Sequence, residues 1–239
     1  MRRAGLVLVV IFSVLTIGCV QDAPERIGAI YALKADPTDE NVAKIRKSLD
    51  DPDRDVRATA LNALVVLRVD DARQIARNSL ADEDRFVRAT AAKLLGDLRN
   101  PDDTPLLIDR LLQDSESIVR QRGAEALTKI GGDAAVEGLA RGLEDPMENV
   151  RLAAIKGIRK LDPSYAMASL TRLLLQDSMW EIRVQAAGAL GVTCDPAAEQ
   201  VLEAALGDPN EFVRGAASNA LRALESCEEP VQGEAESQS

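Results

Sequence analysis

The side chains best suited to covalent chemistry in this chain are its three cysteines, Cys19, Cys194 and Cys227. Histidine is absent from the sequence, which excludes a Ser-His-Asp triad, a Cys-His dyad and any metal site that needs an imidazole ligand. The pair Gly131-Gly132 follows a helical pattern and is typical of a helix end, not of a phosphate-binding loop. The sequence therefore predicts no catalytic residue, no metal ligand and no cofactor.

Clustered carboxylates are the second group that could do chemistry, as ligands of a cation. The densest cluster contains Asp50, Asp51, Asp53 and Asp55. A calcium site needs several oxygen ligands that converge on one point, and this turn lacks the loop glycine and terminal glutamate of an EF-hand. A structural role for these aspartates is the favoured interpretation, because they belong to a repeated column.

An internal repeat of 31 or 32 residues runs through most of the chain. Its arginine column consists of Arg57, Arg88, Arg120, Arg151, Arg183 and Arg214. Its aspartate column, six residues earlier in each copy, consists of Asp51, Asp82, Asp114, Asp145, Asp177 and Asp208. A fixed period of this length indicates stacked supersecondary units.

Each unit contains two helical patterns separated by a turn rich in Asp and Pro. In the first full copy, Val56, Ala60, Leu64 and Leu67 recur at steps of 4, 4 and 3 residues, which is one face of an α-helix. No segment shows the sustained alternation of a strand. A single helix pair cannot bury its apolar face alone, so neighbouring pairs must stack. The sequence predicts an all-α protein, an α-α superhelix of about six helix pairs.

The pattern Leu-x-Asp-x4-Val-Arg-x2-Ala-x3-Leu resembles the HEAT repeat, in the short form also seen in phycobilin-lyase-type proteins. The resemblance covers residues 37–224 and implies first helices on a convex side and second helices on a concave side. It also implies a structural ladder in which turn aspartates and second-helix arginines of adjacent units pair. Residues 25–35 are expected to form a degenerate capping helix. The His-Glu motif of the HEAT-like di-iron hydroxylases is absent.

Cys194 and Cys227 follow the second helices of consecutive units, 11 residues after Arg183 and 13 residues after Arg214. They are therefore expected at the same edge of the stack. An oxidising compartment would permit a disulfide between them. The alternative is two unpaired thiols about 8–10 Å apart, the distance between packed helices, and both alternatives stay open.

The N-terminus has the layout of an export signal. Two arginines precede an apolar run from Leu6 to Ile17, which is shorter than the roughly 20 residues of a membrane span. The ending Thr16-Ile17-Gly18-Cys19 resembles a bacterial lipobox and implies cleavage before an acylated Cys19. Residues 1–18 are then the signal peptide, and residues 19–24 the lipidated N-terminus and tether. An ordinary signal peptide or a retained anchor is the alternative.

The charge of the chain bears on its partners. Removal of residues 1–18 leaves 27 basic against 39 acidic residues, a net charge of −12. This balance argues against nucleic acid or an anionic lipid surface as the general partner. Residues 225–239 are rich in Glu, Ser, Gln and Gly, and are expected to be a disordered acidic tail.

A local excess of basic residues contrasts with this acidity. Positions one, two, five, eight and nine after each repeat arginine should point away from the core, and in the middle units they carry Lys93, Arg122, Lys129, Lys156, Arg159 and Lys160. This basic strip would attract an acidic segment of a partner protein, although a solvated helix face is the simpler interpretation. Met147, Met179 and Trp180 share one rim, where buried packing is favoured over a binding anchor.

The sequence thus favours a scaffold or adaptor that binds protein, held by its lipid at the bacterial envelope, at the outer membrane or facing the periplasm. A phycobilin-lyase-like enzyme or chaperone is one alternative, which the export signal disfavours and which tetrapyrrole binding would reveal. A passive structural subunit of an envelope complex is another. Fold alone does not decide among these functions.

Overall fold

The computed structural model describes residues 22–228, and every regular element within that range is helical. The first helices of the six units are α2 (Asp39–Lys47), α4 (Ala72–Ser79), α6 (Thr104–Gln113), α8 (Asp133–Gly142), α10 (Met167–Gln176) and α12 (Ala197–Ala205). The second helices are α3 (Arg54–Val66), α5 (Arg85–Leu98), α7 (Ser117–Ile130), α9 (Glu148–Leu161), α11 (Trp180–Leu190) and α13 (Glu211–Glu228). Helix α1 (Ala23–Ala35) precedes them, and short 3-10 turns occupy Ser48–Asp50, Pro101–Asp103 and Ser164–Ala166.

The helices form two layers. Each second helix packs on its own first helix and on the second helices of the neighbouring units, with α11 as the single such neighbour of α13, and α1 packs on α3 as a second helix would. First helices pack on one another in the other layer, as α6 does on α8 and α10 on α12. The predicted all-α superhelix of stacked helix pairs is confirmed.

Turn residues start the second helices. Asp53 precedes α3, and its carboxylate accepts hydrogen bonds from the backbone N–H groups of Asp55 and Val56. Asp84 caps α5 in the same way through the N–H of Phe86. These bonds satisfy donors that the first helical turn leaves without partners. The Asp-rich turns thus set where α3 and α5 begin.

A continuous apolar core lies between the two layers. In α3, the side chains of Val56, Ala60 and Leu64 are fully buried, and the same columns are buried in the other units except at Leu221, which is half-buried. Within residues 22–228 the buried apolar side chains are Leu, Ala, Val and Ile, and no aromatic ring is among them, as the repeat columns predict. Burying one such Leu or Ile stabilises the fold by about 1.5–3 kcal/mol.

Two glycines permit close approach of neighbouring second helices. A Cβ atom at Gly96 of α5 would lie 2.6 Å from the Cα atom of Ala126 in α7, and one at Gly191, just after α11, would lie 2.6 Å from the Cα atom of Ala220 in α13. Both glycines occupy the position eight residues after the repeat arginine. Any side chain there would force the helix backbones apart.

Both ends of the described region extend the repeat. The predicted capping segment 25–35 is helical within α1, and Arg26 donates to Asp51 as the repeat arginines do to theirs. At the other end α13 continues to Glu228, so the predicted boundary at residue 224 falls one turn too early and residues 225–228 are helical. The remainder of the predicted tail, 229–239, lies outside the described residues. None of the described helices is long and apolar enough to cross a bilayer.

Candidate partner-binding face

The exposed side of α1 and of the second helices is called here the second-helix face. All six residues of the predicted basic strip lie on it, with side chains that are exposed or half-buried. Their charges are not equally available to a partner, because three of them already pair with carboxylates of the chain.

Lys93 and Lys129 share one carboxylate. The Lys93 Nζ atom lies 2.9 Å from Asp97 Oδ2, and the Lys129 Nζ atom, one unit away, lies 2.6 Å from Asp97 Oδ1. Burial raises the pKa of Asp97, but the hydrogen bonds from Lys129 and Lys93 outweigh it and hold that pKa below its usual range. These two lysines therefore tie α5 to α7, and sharing one carboxylate reduces their combined charge from +2 to +1.

Arg122 is also paired. Its Nη1 atom lies 2.6 Å from Glu125 Oε2 one helical turn away, and Gln121 donates to the other oxygen of Glu125. The two acids that interrupt the basic strip in the sequence, Asp97 and Glu125, thus pair with three of its six cations.

The other three cations of the basic strip lie on α9 and, unlike the first three, are not paired with a carboxylate in the described region. Lys156, Arg159 and Lys160 are exposed, and in the described part of the chain none has a carboxylate within ion-pair distance. Lys156 and Lys160 line a groove of about 380 Å³ between α7 and α9. Its remaining walls include the polar side chains of Gln121, Thr128 and Asn149.

The Asp–Arg columns form the expected ladder. The first five arginines donate through Nε and Nη2 to the aspartate of the next unit at 2.7–3.1 Å, as Arg120 does to Asp145, and all six donate through Nη1 to a turn carbonyl of their own unit. The hydrogen bonds from Arg183 lower the pKa of Asp208. Burial raises the pKa of Asp82, but the bonds from Arg57 outweigh it and leave it lowered.

The Asp50–Asp55 turn is occupied by the same contacts. Asp51 accepts from Arg26 and from the N–H of Asp53, and Asp53 caps α3. Across residues 22–228 no group of three or more Cys, Asp or Glu side chains converges as metal ligands would. These carboxylates serve the ladder and the helix starts.

Cys194 and Cys227 are joined by a disulfide, with Cα atoms 5.7 Å apart. Cys194 lies in the loop after α11 with a left-handed φ of 53°, and Cys227 lies in the last turn of α13. The bond ties the last two second helices together at one edge. Cys19 lies outside the described residues.

The Met147, Met179 and Trp180 rim is exposed, which corrects the expectation of buried packing. Trp180 is 37% exposed, and its ring stacks on that of Phe212 with centroids 5.1 Å apart. Sequence reasoning missed Phe212. The sequence signal was positional: Trp180 lies three residues before its repeat arginine, and Phe212 lies two residues before the next one. The same two positions in earlier units hold Arg54 and Phe86, whose guanidinium and ring centroid are 4.4 Å apart.

Similarity to known proteins agrees with this architecture. The model of the HEAT repeats family matches residues 42–128 and 136–222, so the chain belongs to the HEAT-repeat proteins. No curated protein matches the chain in sequence.

Two solved structures, each aligned with a TM-score above 0.5, show the same fold. YibA of Escherichia coli is 20% identical with a TM-score of 0.59, over 86% of this chain and 79% of that one. The archaeal HEAT-like repeats protein of Thermococcus onnurineus NA1 is 15% identical with a TM-score of 0.54, over 85% and 93%. The CpcE–CpcF complex of phycocyanin lyase from Nostoc sp. PCC7120 gives 21% identity and a TM-score of 0.49, over 85% and 90%.

Proposed function

We propose that this protein is a lipid-anchored HEAT-repeat adaptor of the bacterial cell envelope, which binds an acidic segment of a protein partner on its second-helix face. Its role is recognition without chemistry. The lipid on Cys19 holds it to a membrane, at the outer membrane or facing the periplasm, and the helix stack presents a rigid surface near that membrane.

The observation that carries the partner proposal is the set of unpaired cations on α9. Lys156, Arg159 and Lys160 stand exposed on a chain with 39 acidic and 29 basic residues, where most other arginines are engaged in ion pairs. A cation left free on an acidic protein favours encounter with acidic groups and rejects basic ones. The adjoining groove between α7 and α9 offers amide and hydroxyl groups to a bound backbone.

Two features support the compartment. The disulfide between Cys194 and Cys227 belongs to the class of bond that persists in oxidising compartments such as the periplasm. The apolar run that ends at Gly18-Cys19 resembles a lipoprotein signal, and an acyl group contributes about 0.8 kcal/mol per buried CH₂ to membrane binding.

Replacement of Cys19 tests the anchor. The Cys19→Ser variant should leave the membrane fraction and stay in the soluble envelope fraction, and it should lose incorporation of labelled palmitate. Cys227→Ser is the matched control, because it removes a cysteine and should keep both membrane binding and label. A Cys19→Ser protein that stays membrane-bound would disprove the lipid anchor.

The partner is tested by affinity purification from detergent-solubilised membranes with mass spectrometry. Wild type is compared with Lys156→Glu/Lys160→Glu and with Lys47→Glu/Arg141→Glu, a control of equal charge change on exposed ends of first helices. A partner retained by wild type and control but lost by the α9 variant supports an adaptor. Recovery in fixed stoichiometry with a large complex from all three would instead indicate a passive structural subunit.

A further inference from the structure

A second groove runs along the second-helix face between α11 and α13. On α11 its wall is formed by Val184 and Gly188, four residues apart, and on α13 by Ala216 and Ala220. Side chains four residues apart lie on one side of a helix, so each wall is a straight stripe. The groove encloses about 270 Å³ and its floor is apolar.

Aromatic rings mark the N-terminal end of this groove. Trp180 lies four residues before Val184 and Phe212 four residues before Ala216, so the two rings continue the two walls. They stack on each other at 5.1 Å although Phe212 is 59% exposed. Exposed aromatic rings that border an apolar groove are typical anchors in protein interfaces.

A cation lies further along the groove, beside Gly188. Arg159 of α9 also lines the groove, and a Cβ atom at Gly188 would lie 3.4 Å from its Nη1 atom. The missing side chain at Gly188 thus leaves room for the guanidinium to lie over α11. No carboxylate in the described region is within ion-pair distance of Arg159. A guanidinium in this position can donate two parallel hydrogen bonds to a carboxylate.

We propose that this groove binds a short extended segment of the partner, in which an Asp or Glu contacts Arg159 and an apolar side chain about four residues away packs on Trp180 and Phe212. The distance sets the spacing. Gly188 and Trp180 are eight residues apart on α11, which is about 12 Å at 1.5 Å per residue. An extended chain covers that distance in about four residues at roughly 3.3 Å each.

Charge determines at which end of the groove the acidic side chain of the segment binds. Glu181 and Glu211 lie in the first turns of α11 and α13, at the aromatic end of the groove. They repel an acid there and favour it at Arg159. This inference rests on the proposed adaptor function and specifies which segment of the partner such an adaptor binds.

Selection of peptides tests the proposal. Random twelve-residue peptides displayed on phage are selected on the immobilised full chain in detergent, and the strongest peptide is synthesised. Because Trp180 is the single tryptophan, its emission reports peptide binding directly. Selected peptides should share an Asp or Glu three to five residues from an apolar residue.

Binding of the selected peptide should weaken about tenfold or more in Arg159→Gln and in Phe212→Ala, since each removes one anchor. Binding should stay unchanged in the control Lys47→Gln.

Three results would overturn the groove proposal: selected peptides that lack the acid–apolar pair, no selected peptide, or equal binding by wild type and both groove variants. A chain that dimerises in sedimentation, with the dimer lost in Phe212→Ala, would also overturn it and assign the groove to a second copy. Partner capture that depends on Lys156 and Lys160 while no peptide is selected would contradict the groove alone. Peptide binding together with partner capture that does not depend on Lys156 and Lys160 would contradict the α9 proposal instead.

Discussion

At the scale of single residues, the ladder accounts for most of the buried charge. Each repeat arginine before the last unit satisfies two partners at once, the carboxylate of the next unit and a turn carbonyl of its own, as Arg120 does with Asp145 and with the carbonyl of Asp114. Each aspartate in turn accepts the N–H two residues later in its own turn. Removing one member leaves the others without partners, so these pairs matter through the cost of breaking them.

Arg120→Ala should lower the free energy of unfolding by about 1–4 kcal/mol, because it leaves the Asp145 carboxylate half-buried without its cation. Arg122→Ala is the matched control. It breaks a half-exposed pair with Glu125, three residues later in the same helix, and should cost less than about 1 kcal/mol. Chemical denaturation of both variants measures the difference. Equal stability would show that the ladder is not structural, and lost partner binding at unchanged stability would assign Arg120 a recognition role.

Acidification should unfold the protein through the same aspartates. The folded state lowers the pKa of Asp51, Asp82, Asp114 and Asp208, so in acid the unfolded chain binds more protons than the folded one. Their contribution is fully present above the unfolded pKa of about 3.9 and is lost as pH falls through the lower folded values.

Denaturation curves between pH 7 and pH 2 measure this dependence. The free energy of unfolding should be nearly constant from pH 7 to pH 5, since the chain has no histidine, and should fall steeply below about pH 4. A loss of stability centred near pH 6 would contradict the assignment to aspartates.

At the scale of helices, close packing of the second helices depends on small residues at their ends. Gly96→Ala should destabilise the fold by about 1–3 kcal/mol, because the added Cβ would meet the backbone of Ala126 at 2.6 Å. Gly215→Ala is the control, since it is also helical but has nothing within 4 Å. That change should be neutral or stabilising by up to about 1 kcal/mol. Thermal melts that rank the two variants in the opposite order would contradict the packing described for α5 and α7.

The disulfide should stabilise the last unit only. It closes a loop with a sequence separation of 33 residues, worth about 3–4 kcal/mol in the chain-entropy description. In a stack where units contact only their neighbours, this loss stays local. Cys194→Ser/Cys227→Ser should therefore speed hydrogen exchange in α12 and α13 and leave α3 unchanged. Uniformly faster exchange along the chain would indicate a single cooperative unit.

At the scale of the whole molecule, the repeat determined what could be predicted. Columns that recur six times identify the helix pairs, the buried residues and the ladder, because each depends on positions within one period. The pairing of Lys93 and Lys129 with Asp97 could not be predicted, since it depends on side-chain conformations across two units. The stacking of Trp180 on Phe212 was not predicted, because the two residues lie at different distances from their repeat arginines and so belong to no common column.

These local pairs change the predicted binding face. Six cations in the sequence suggest one long strip, but three of them pair with Asp97 and Glu125, which leaves most of the free positive charge on α9. The free cations adjoin two grooves, one toward α7 and one toward α13. Recognition is therefore expected in the C-terminal half of the stack.

The most direct test of this account is the rate at which the captured partner associates with the purified protein at two salt concentrations. Lys156→Glu/Lys160→Glu should associate about tenfold or more slowly than wild type at low salt and show a weaker salt dependence, because exposed charges act within about 8–10 Å at moderate ionic strength. Lys47→Glu/Arg141→Glu should behave as wild type. Equal rates and equal salt dependence for all three proteins would contradict recognition through α9.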